Sequence, residues 1–298
     1  MNAVMKAEMK AEMKAEMKAE TGDGPQRRLY IHNRTAPDVA GYADQLDIER
    51  EWAIPLARRA EEDAPDFGSR EDLMAALHEL LDTEERGGPS DDERFIAQDT
   101  SLAQFRSIVA DFAVDGLVES QSHLGIIRRL PPKARTAVLR VLIDEFGCGN
   151  DDQEHAQLYT KLVTELGLPT DLEHYVRIAP DECFAYVNLF HWFAERAPAP
   201  EYFLGGYAYF ESSVLYAFKC YAAAAERLGI ENDRYYTEHL YIDTFHSKQM
   251  QASIRALELE RPLDLPKVWA GVTMTSEVVA AATEAAAARA RAVDPVAS

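Results

Sequence analysis

The chain has 298 residues, 47% of them hydrophobic, and can bury a full core in one domain of about 250 residues or in two smaller ones. Its formal net charge of −20 argues against nucleic acid or an anionic membrane as a partner, because phosphate groups would repel it. The sequence has no apolar run of about 18 residues and no signal-peptide pattern at its N-terminus. We therefore expect a soluble protein of the cytoplasm.

The three cysteines are Cys148, Cys183 and Cys220. Their number is odd and none forms a Cys-x-x-Cys pair, so the sequence indicates neither a disulfide framework nor a thiolate zinc site. We expect three buried free thiols.

The N-terminal segment from Met5 to Glu20 consists of four copies of Met-Lys-Ala-Glu, followed by the helix breaker Gly22-Asp-Gly-Pro25. A period of four places like charges at i and i+4, which weakens an isolated helix. The sequence therefore predicts a disordered low-complexity tail at residues 1–24 and a single helical domain at residues 25–298.

Helical patterns begin near Asp38 in the predicted domain. Ser69-Arg-Glu-Asp72 has the spacing of a capping box and opens a helix with an apolar face of leucines. A loop is predicted at residues 87–92. Ser101 then begins a helical pattern that either continues or restarts through Glu119 and His123.

The next helix begins at Pro131-Pro132, and its inward face ends with the carboxylate Glu145. It stops at the turn Gly147-Cys-Gly149-Asn, after which His155 begins a new apolar stripe. Two helices follow, near residues 181–196 and 201–228. In the second, Glu211 is the lone charge in an apolar face.

A helix near residues 233–254 carries His239, Asp243 and His246 at i, i+4 and i+7, so the three side chains share one face. Met250 and Ile254 continue that face, which indicates that it points into the core. Two histidines and an aspartate can be buried together only with a polar partner network or a metal. The spacing therefore favours a metal site.

The last predicted helix runs from Leu265 to about Ala290 and is rich in alanine, so it could form a packing or dimer surface. A homodimer is thus one expectation. No segment shows the alternation typical of strands, so we predict an all-α fold.

The inward polar residues together form a candidate metal site. Histidines with carboxylates spread over several helices suit two iron or manganese ions, although zinc stays open on ligand type alone. Surface exposure is the alternative for each glutamate, and it is strongest for Glu119. The candidate ligands are Glu119, Glu145, His155, Glu211, His239, Asp243 and His246.

Two helical architectures could build such a site. A ferritin-like bundle uses Glu-x-x-His from two helices, and this chain offers Asp152-x-x-His155 and Asp243-x-x-His246 as a degenerate version. That arrangement would leave His239 unused.

The second architecture is that of the haem-oxygenase-like diiron oxidases, which the chain resembles at these residues. The family's last ligand helix has His-x3-Asp-x2-His, as at His239, Asp243 and His246. An earlier Glu, a Gly-rich turn and a His ten residues on look like Glu145 to His155. The family's mid-chain Glu follows a Gly/Ala-rich helix start, similar to Gly205 to Glu211. The resemblance covers roughly residues 100–255.

The resemblance implies a haem-oxygenase-like helical bundle in which two iron ions, rather than a haem, occupy the central space. It implies an oxidoreductase that uses O2 and an external reductant through a peroxo-diferric intermediate. Amine N-oxygenation, oxidative C–C cleavage and self-oxidation all occur in such proteins. Glu119 lies 26 residues before Glu145, where N-oxygenating relatives have an additional carboxylate ligand. We therefore rank N-oxygenation of an amine or amino acid in specialised metabolism first, with Glu119 as the catalytic residue.

Two other functions remain open. One is oxidative cleavage or desaturation of an amino or fatty acid. The other is a ferritin-like, non-catalytic metal-binding protein. The sequence predicts a small-molecule substrate but identifies neither that substrate nor the electron donor.

Overall fold

The computed structural model describes residues 24–294. The predicted tail, residues 1–24, lies outside this range except for Gly24, so its disorder stays a prediction. Within residues 24–294 the chain forms helices and turns and no β-strand, which confirms the all-α prediction. None of the helices in this range is long and apolar enough to cross a membrane.

The α-helices are numbered here in chain order, with their bounds. They are α1 (Pro25–Arg34), α2 (Val39–Glu51), α3 (Ala53–Glu62), α4 (Arg70–Gly87), α5 (Asp91–Arg94), α6 (Leu102–Gly116), α7 (Pro132–Glu145), α8 (His155–Glu165), α9 (Leu172–Ile178), α10 (Asp181–Glu195), α11 (Glu201–Leu228), α12 (Arg234–Glu258) and α13 (Leu265–Ala292). Short 3-10 helices occur at Gln121–Arg128, Gly147–Gly149 and Asp151–Gln153, and a π-helical turn at Phe95–Asp99.

The long helix α11 is the centre of the bundle and packs against both α13 and α12. Two glycines allow α11 and α13 to approach closely. A Cβ atom at Gly205 would lie 1.8 Å from the carbonyl oxygen of Val268, and one at Gly271 would lie 2.1 Å from that of Tyr202. Helix α12 also packs on α7, and His246 on its predicted ligand face lies 3.3 Å from Glu145 of α7.

Several helices begin where the sequence indicated. Ser69 caps α4 by accepting a hydrogen bond from the amide of Asp72, and Ser101 caps α6 in a complete capping box. Pro132 opens α7, and α13 begins at Leu265. These starts were predictable because each depends on residues within one turn of the helix.

Three α-helices, α1, α5 and α9, were not predicted from the sequence; α9 lies between Pro169 and residue 181, where no helix was expected. The first is α1, because Gly22 to Pro25 was interpreted only as a breaker, whereas Pro25 is in the first helical turn, where proline is favoured. Tyr30 of α1 is 1% exposed and donates a hydrogen bond to the carbonyl oxygen of Val114 at 2.6 Å. The second is α5, which begins inside the predicted loop at residues 87–92.

The expectation of three buried thiols is wrong for Cys148. Cys183 and Cys220 are buried, but Cys148 is exposed. It lies in the Gly147–Gly149 turn with a φ of 53°, and this turn carries its side chain away from the core.

Candidate metal centre

The seven candidate ligands converge in two adjacent groups in the bundle interior. One group is Glu119, Glu145, His155 and His239, and the other is Glu145, Glu211, Asp243 and His246. Within each group the potential ligand atoms lie within 4.8 Å of one another. Glu145 belongs to both groups and therefore lies between them.

Helix α12 supplies three of the seven residues from a single face. His239, Asp243 and His246 are 4%, 1% and 0% exposed, as their spacing predicted. The Nδ1 atom of His239 donates a hydrogen bond to the carbonyl oxygen of Tyr235 at 2.6 Å. This bond fixes the ring so that Nε2 faces the first group.

The turn between α7 and α8 brings Glu145 and His155 together. Gly147 has a φ of 64°, and a Cβ atom there would lie 2.5 Å from the backbone nitrogen of Glu154. Only glycine fits a turn that combines a positive φ with so close an approach. The turn leaves Nδ1 of His155 3.0 Å from Oε2 of Glu145.

Glu119 lies beyond the end of α6 and points inward. Its Oε1 is 3.1 Å from Nε2 of His239, and its side chain is 11% exposed. The next residue, Ser120, has a left-handed backbone with a φ of 63° and donates a hydrogen bond to Oε2 of Glu145 at 3.0 Å. Glu119 therefore faces the centre and not the solvent, which was the alternative left open by the sequence.

In the second group, the Nδ1 atom of His246 is surrounded by three carboxylates. It lies 3.0 Å from Asp243, 3.2 Å from Glu211 and 3.3 Å from Glu145. This clustering of carboxylates around one imidazole nitrogen is the arrangement expected where a cation would sit.

Buried polar atoms without hydrogen-bond partners indicate that a metal fits this site. Oδ2 of Asp243 and Oε2 of Glu119 are buried without a hydrogen-bond partner. Burying such atoms unpaired is costly, and metal coordination removes that cost. Because the donors are only histidine nitrogens and carboxylate oxygens, the set suits iron or manganese.

The electrostatics of the two groups favour positive charge. Burial lowers the pKa of His239, but the charge of Glu119 and its hydrogen bond outweigh that effect and raise the pKa to about 10. Hydrogen bonds to Asp243 and Glu211 similarly outweigh burial and raise the pKa of His246 to about 11. Burial and the charge of Asp243 raise the pKa of Glu211 to about 8. Without a metal, protons therefore supply the positive charge that the carboxylates require.

The ferritin-like alternative does not agree with the structure. The side chain of Asp152 is 88% exposed and pairs with Lys161 at 3.4 Å, so it does not join His155 in a metal group. His239, which that architecture would leave unused, is part of the first group.

Asp144 is a neighbour of the centre that the sequence analysis missed. Its Oδ2 lies 3.5 Å from Nε2 of His246, on the opposite side of the ring from the carboxylate cluster. The two atoms are within ion-pair range but form no hydrogen bond, so Asp144 acts on the ring through its charge. No sequence signal distinguished it, since it simply precedes Glu145 on a half-exposed side of α7.

We expect Asp144→Asn to weaken metal retention in the second group by about tenfold without emptying it, because the amide holds the His246 ring less strongly. The measurement is the amount of iron kept against increasing chelator. Asp151→Asn, in the exposed turn nearby, is the matched control. Identical chelator resistance of Asp144→Asn and the wild type would show that the 3.5 Å contact has no role.

A cavity of about 120 Å³ adjoins both groups. Ten tyrosine and phenylalanine side chains line it, together with Glu119, Glu145, Glu211, His239 and Asp243. Asp115 also lines it, although the sequence analysis did not select this residue. A signal did exist, because Asp115 precedes Glu119 by four residues and could share its face.

Comparisons with known proteins identify the family to which this chain is similar. The family described as iron-containing redox enzymes matches residues 106–280, a range that includes all seven candidate ligands. The nitrosourea synthase of Streptomyces achromogenes subsp. streptozoticus is 26% identical over 151 residues. That match covers 50% of this chain and 32% of the relative, so the chain spans about a third of the relative's length.

Proposed function

Because the chain belongs to the family of iron-containing redox enzymes, and is therefore an oxidoreductase, we propose that it is an O2-dependent oxygenase with two irons at the described centre. The observation that carries the proposal is the position of Glu145 in both ligand groups. A carboxylate shared by two adjacent sets of donors suits a centre for two ions, both of which Glu145 would help to hold.

The ligand charges also suit two iron(II) ions. Glu119, Glu145, Glu211 and Asp243 supply four negative charges, which balance two divalent cations, and three histidines complete the set. When bound, the irons would supply the electrons for reducing O2, and an external reductant would restore them.

The chain's own residues then have separate tasks. Tyr235 orients His239, Asp144 acts on the His246 ring through its charge, and Ser120 positions Glu145 through its hydrogen bond. The aromatic walls of the cavity keep water away from the reacting atoms and leave room for a small substrate.

Within this activity we propose N-oxygenation of an amine or amino acid. The name of the nitrosourea synthase indicates a product with a nitrogen–oxygen bond. The similarity to that protein covers 50% of the present chain. Glu119, in the first group, is the fourth carboxylate of the whole centre. An additional anionic ligand there would stabilise oxidised iron.

The test loads the full-length protein with iron(II) without oxygen, then adds O2, a reductant and a panel of amines and amino acids. We expect about two irons per chain and a product that has gained oxygen on nitrogen. An alkene or chain-shortened product would replace N-oxygenation by oxidative cleavage. One oxidation without further turnover would indicate a metal-storage protein.

We expect Glu119→Ala to retain most of its iron but to lower N-oxygenated product about tenfold or more, because the other residues of both groups remain. Product is measured by mass spectrometry and iron by metal analysis on the same sample. Glu238→Ala, which removes an outward-facing carboxylate next to His239, is the control and should match the wild type. Equal product from Glu119→Ala and the control would remove Glu119 from the catalytic role.

A further inference from the structure

We propose that the cavity beside the metal centre binds its substrate through a cationic group, and that Asp115 is the residue that holds this group. The inference rests on the proposed function, since it treats the cavity as the substrate site. It goes beyond the proposed function in two ways. The substrate carries a positive charge, and Asp115, which is not a metal ligand, binds it.

The residues that line the cavity carry an excess of negative charge. Six carboxylates line it and, among these described lining residues, there is no lysine or arginine. The six are Glu93, Asp115, Glu119, Glu145, Glu211 and Asp243. Four of them belong to the metal groups and would be balanced by two divalent ions. Asp115 and Glu93 are left with neither a metal nor a lysine or arginine of the described lining to pair with.

Asp115 lines the cavity but does not belong to either metal group. It lies in the last turn of α6, and Tyr186 is part of the same lining. Burial, followed by the charge of Glu119, raises the pKa of Asp115 to about 7. Within residues 24–294, no lysine or arginine lines the cavity to pair with this carboxylate, and a bound cation would supply such a partner.

The aromatic residues near Asp115 fit the same ligand. The ring of Phe112, three residues before Asp115, lies 6.3 Å from that of Tyr186 and 6.1 Å from that of Tyr221. All three rings line the cavity. Aromatic faces attract cations, so this wall would bind an ammonium group better than a carboxylate.

A surface groove next to the cavity also has an excess of acidic residues. The groove shares Glu93, Ser213, Cys220 and other residues with the cavity, so the two spaces adjoin. The charged residues that line the groove are Glu84, Glu85, Asp91, Asp92, Glu93, Arg94, Lys219 and Glu284. Acidic groups are in excess, and such a mouth draws cations towards it and repels anions.

The cationic group held at Asp115 cannot be the group that is oxygenated. A protonated amine has no lone pair and cannot be oxygenated on nitrogen. The cation held at Asp115 is therefore an anchor, and the oxidised atom is a second, uncharged group of the same substrate. The proposed substrate class is a small molecule that carries both.

The experiment uses iron-loaded, full-length protein without O2 and three probes of equal length, namely n-hexylamine, hexan-1-ol and hexanoic acid, measured by calorimetry near neutral pH. We expect the amine to bind about tenfold more tightly than the alcohol and the acid to bind most weakly. Asp115→Asn should reduce amine binding to that of the alcohol. Asp111→Asn is the control, because Asp111 is a buried carboxylate one turn earlier on α6 that does not line the cavity.

Asp115→Glu supplies a second readout, which a merely structural role would not move. It keeps the charge but advances it by one methylene, so the best-bound n-alkylamine should become shorter by about one carbon. An unchanged optimum would contradict the proposal even if Asp115→Asn failed to fold.

Equal binding of amine and alcohol by the wild type would overturn the inference, as would an intact amine preference in Asp115→Asn. Neither result would affect the proposed function, which is judged separately by iron content and oxygenated product. Loss of O2 chemistry with the amine preference retained would instead reject the proposed function alone.

Discussion

Glu145→Ala is expected to remove most of the iron from the protein and to abolish O2-dependent turnover. The residue is 5% exposed, lies between the two ligand groups and is within 3.3 Å of both His155 and His246. Alanine would take a ligand from each group at once and leave both histidines without their shared carboxylate. Metal analysis of the purified, reconstituted variant is the measurement.

Comparison with His246→Ala makes this experiment specific. His246 belongs to one group only, so its replacement should leave about one iron per chain, whereas Glu145→Ala should leave well below one. Asp152→Ala, in the exposed turn before His155, should keep the wild-type content. Full iron in Glu145→Ala, with activity, would show that Glu145 does not help to hold both ions.

The two histidines are expected to raise iron(II) affinity by about 100-fold per pH unit above pH 7, because binding must expel one proton from each ring. Glu211, whose pKa is raised to about 8, adds the release of a third proton below that pH. Without metal, the raised pKa values of about 10 for His239 and about 11 for His246 keep both rings protonated at neutral pH. Chelator competition between pH 6.5 and 8.5 measures the slope. His239→Ala should reduce it by about tenfold per unit, since one proton fewer is released.

The same protons have the opposite effect on the stability of the metal-free protein. A histidine whose pKa is raised by folding contributes stability that is complete below its unfolded pKa of about 6.5. That contribution is lost as the pH rises through the folded pKa values of about 10 and 11. The melting temperature of the metal-free protein should thus fall above pH 7. A flat affinity and a flat melting temperature would together mean that both histidines are neutral.

The sequence predicted best where a single helix decides the geometry. His239, Asp243 and His246 share a face because of helical periodicity alone, which needs no knowledge of the tertiary fold. Glu145 and His155 were predictable for a similar reason, since one short glycine turn joins them.

Other parts of the site depend on contacts that are distant in sequence. Glu119 stands outside any helix, and its inward direction follows from the turn at Ser120 and from His239, 120 residues away. Asp115 and Asp144 were missed because their roles arise from the cavity wall and from the far side of the His246 ring. Cys148 was misplaced because a left-handed turn, rather than residue type, sets its exposure.

The close contact of α11 with α13 through Gly205 and Gly271 limits which sequences can preserve the centre. A side chain at either glycine would collide with backbone atoms, which cannot rotate away, so one helix would have to shift. Glu211 lies further along the same continuous helix as Gly205, so that shift would reach a candidate ligand. Two residues without reactive groups thus restrict the mutational freedom of the protein as strictly as the residues that would bind iron.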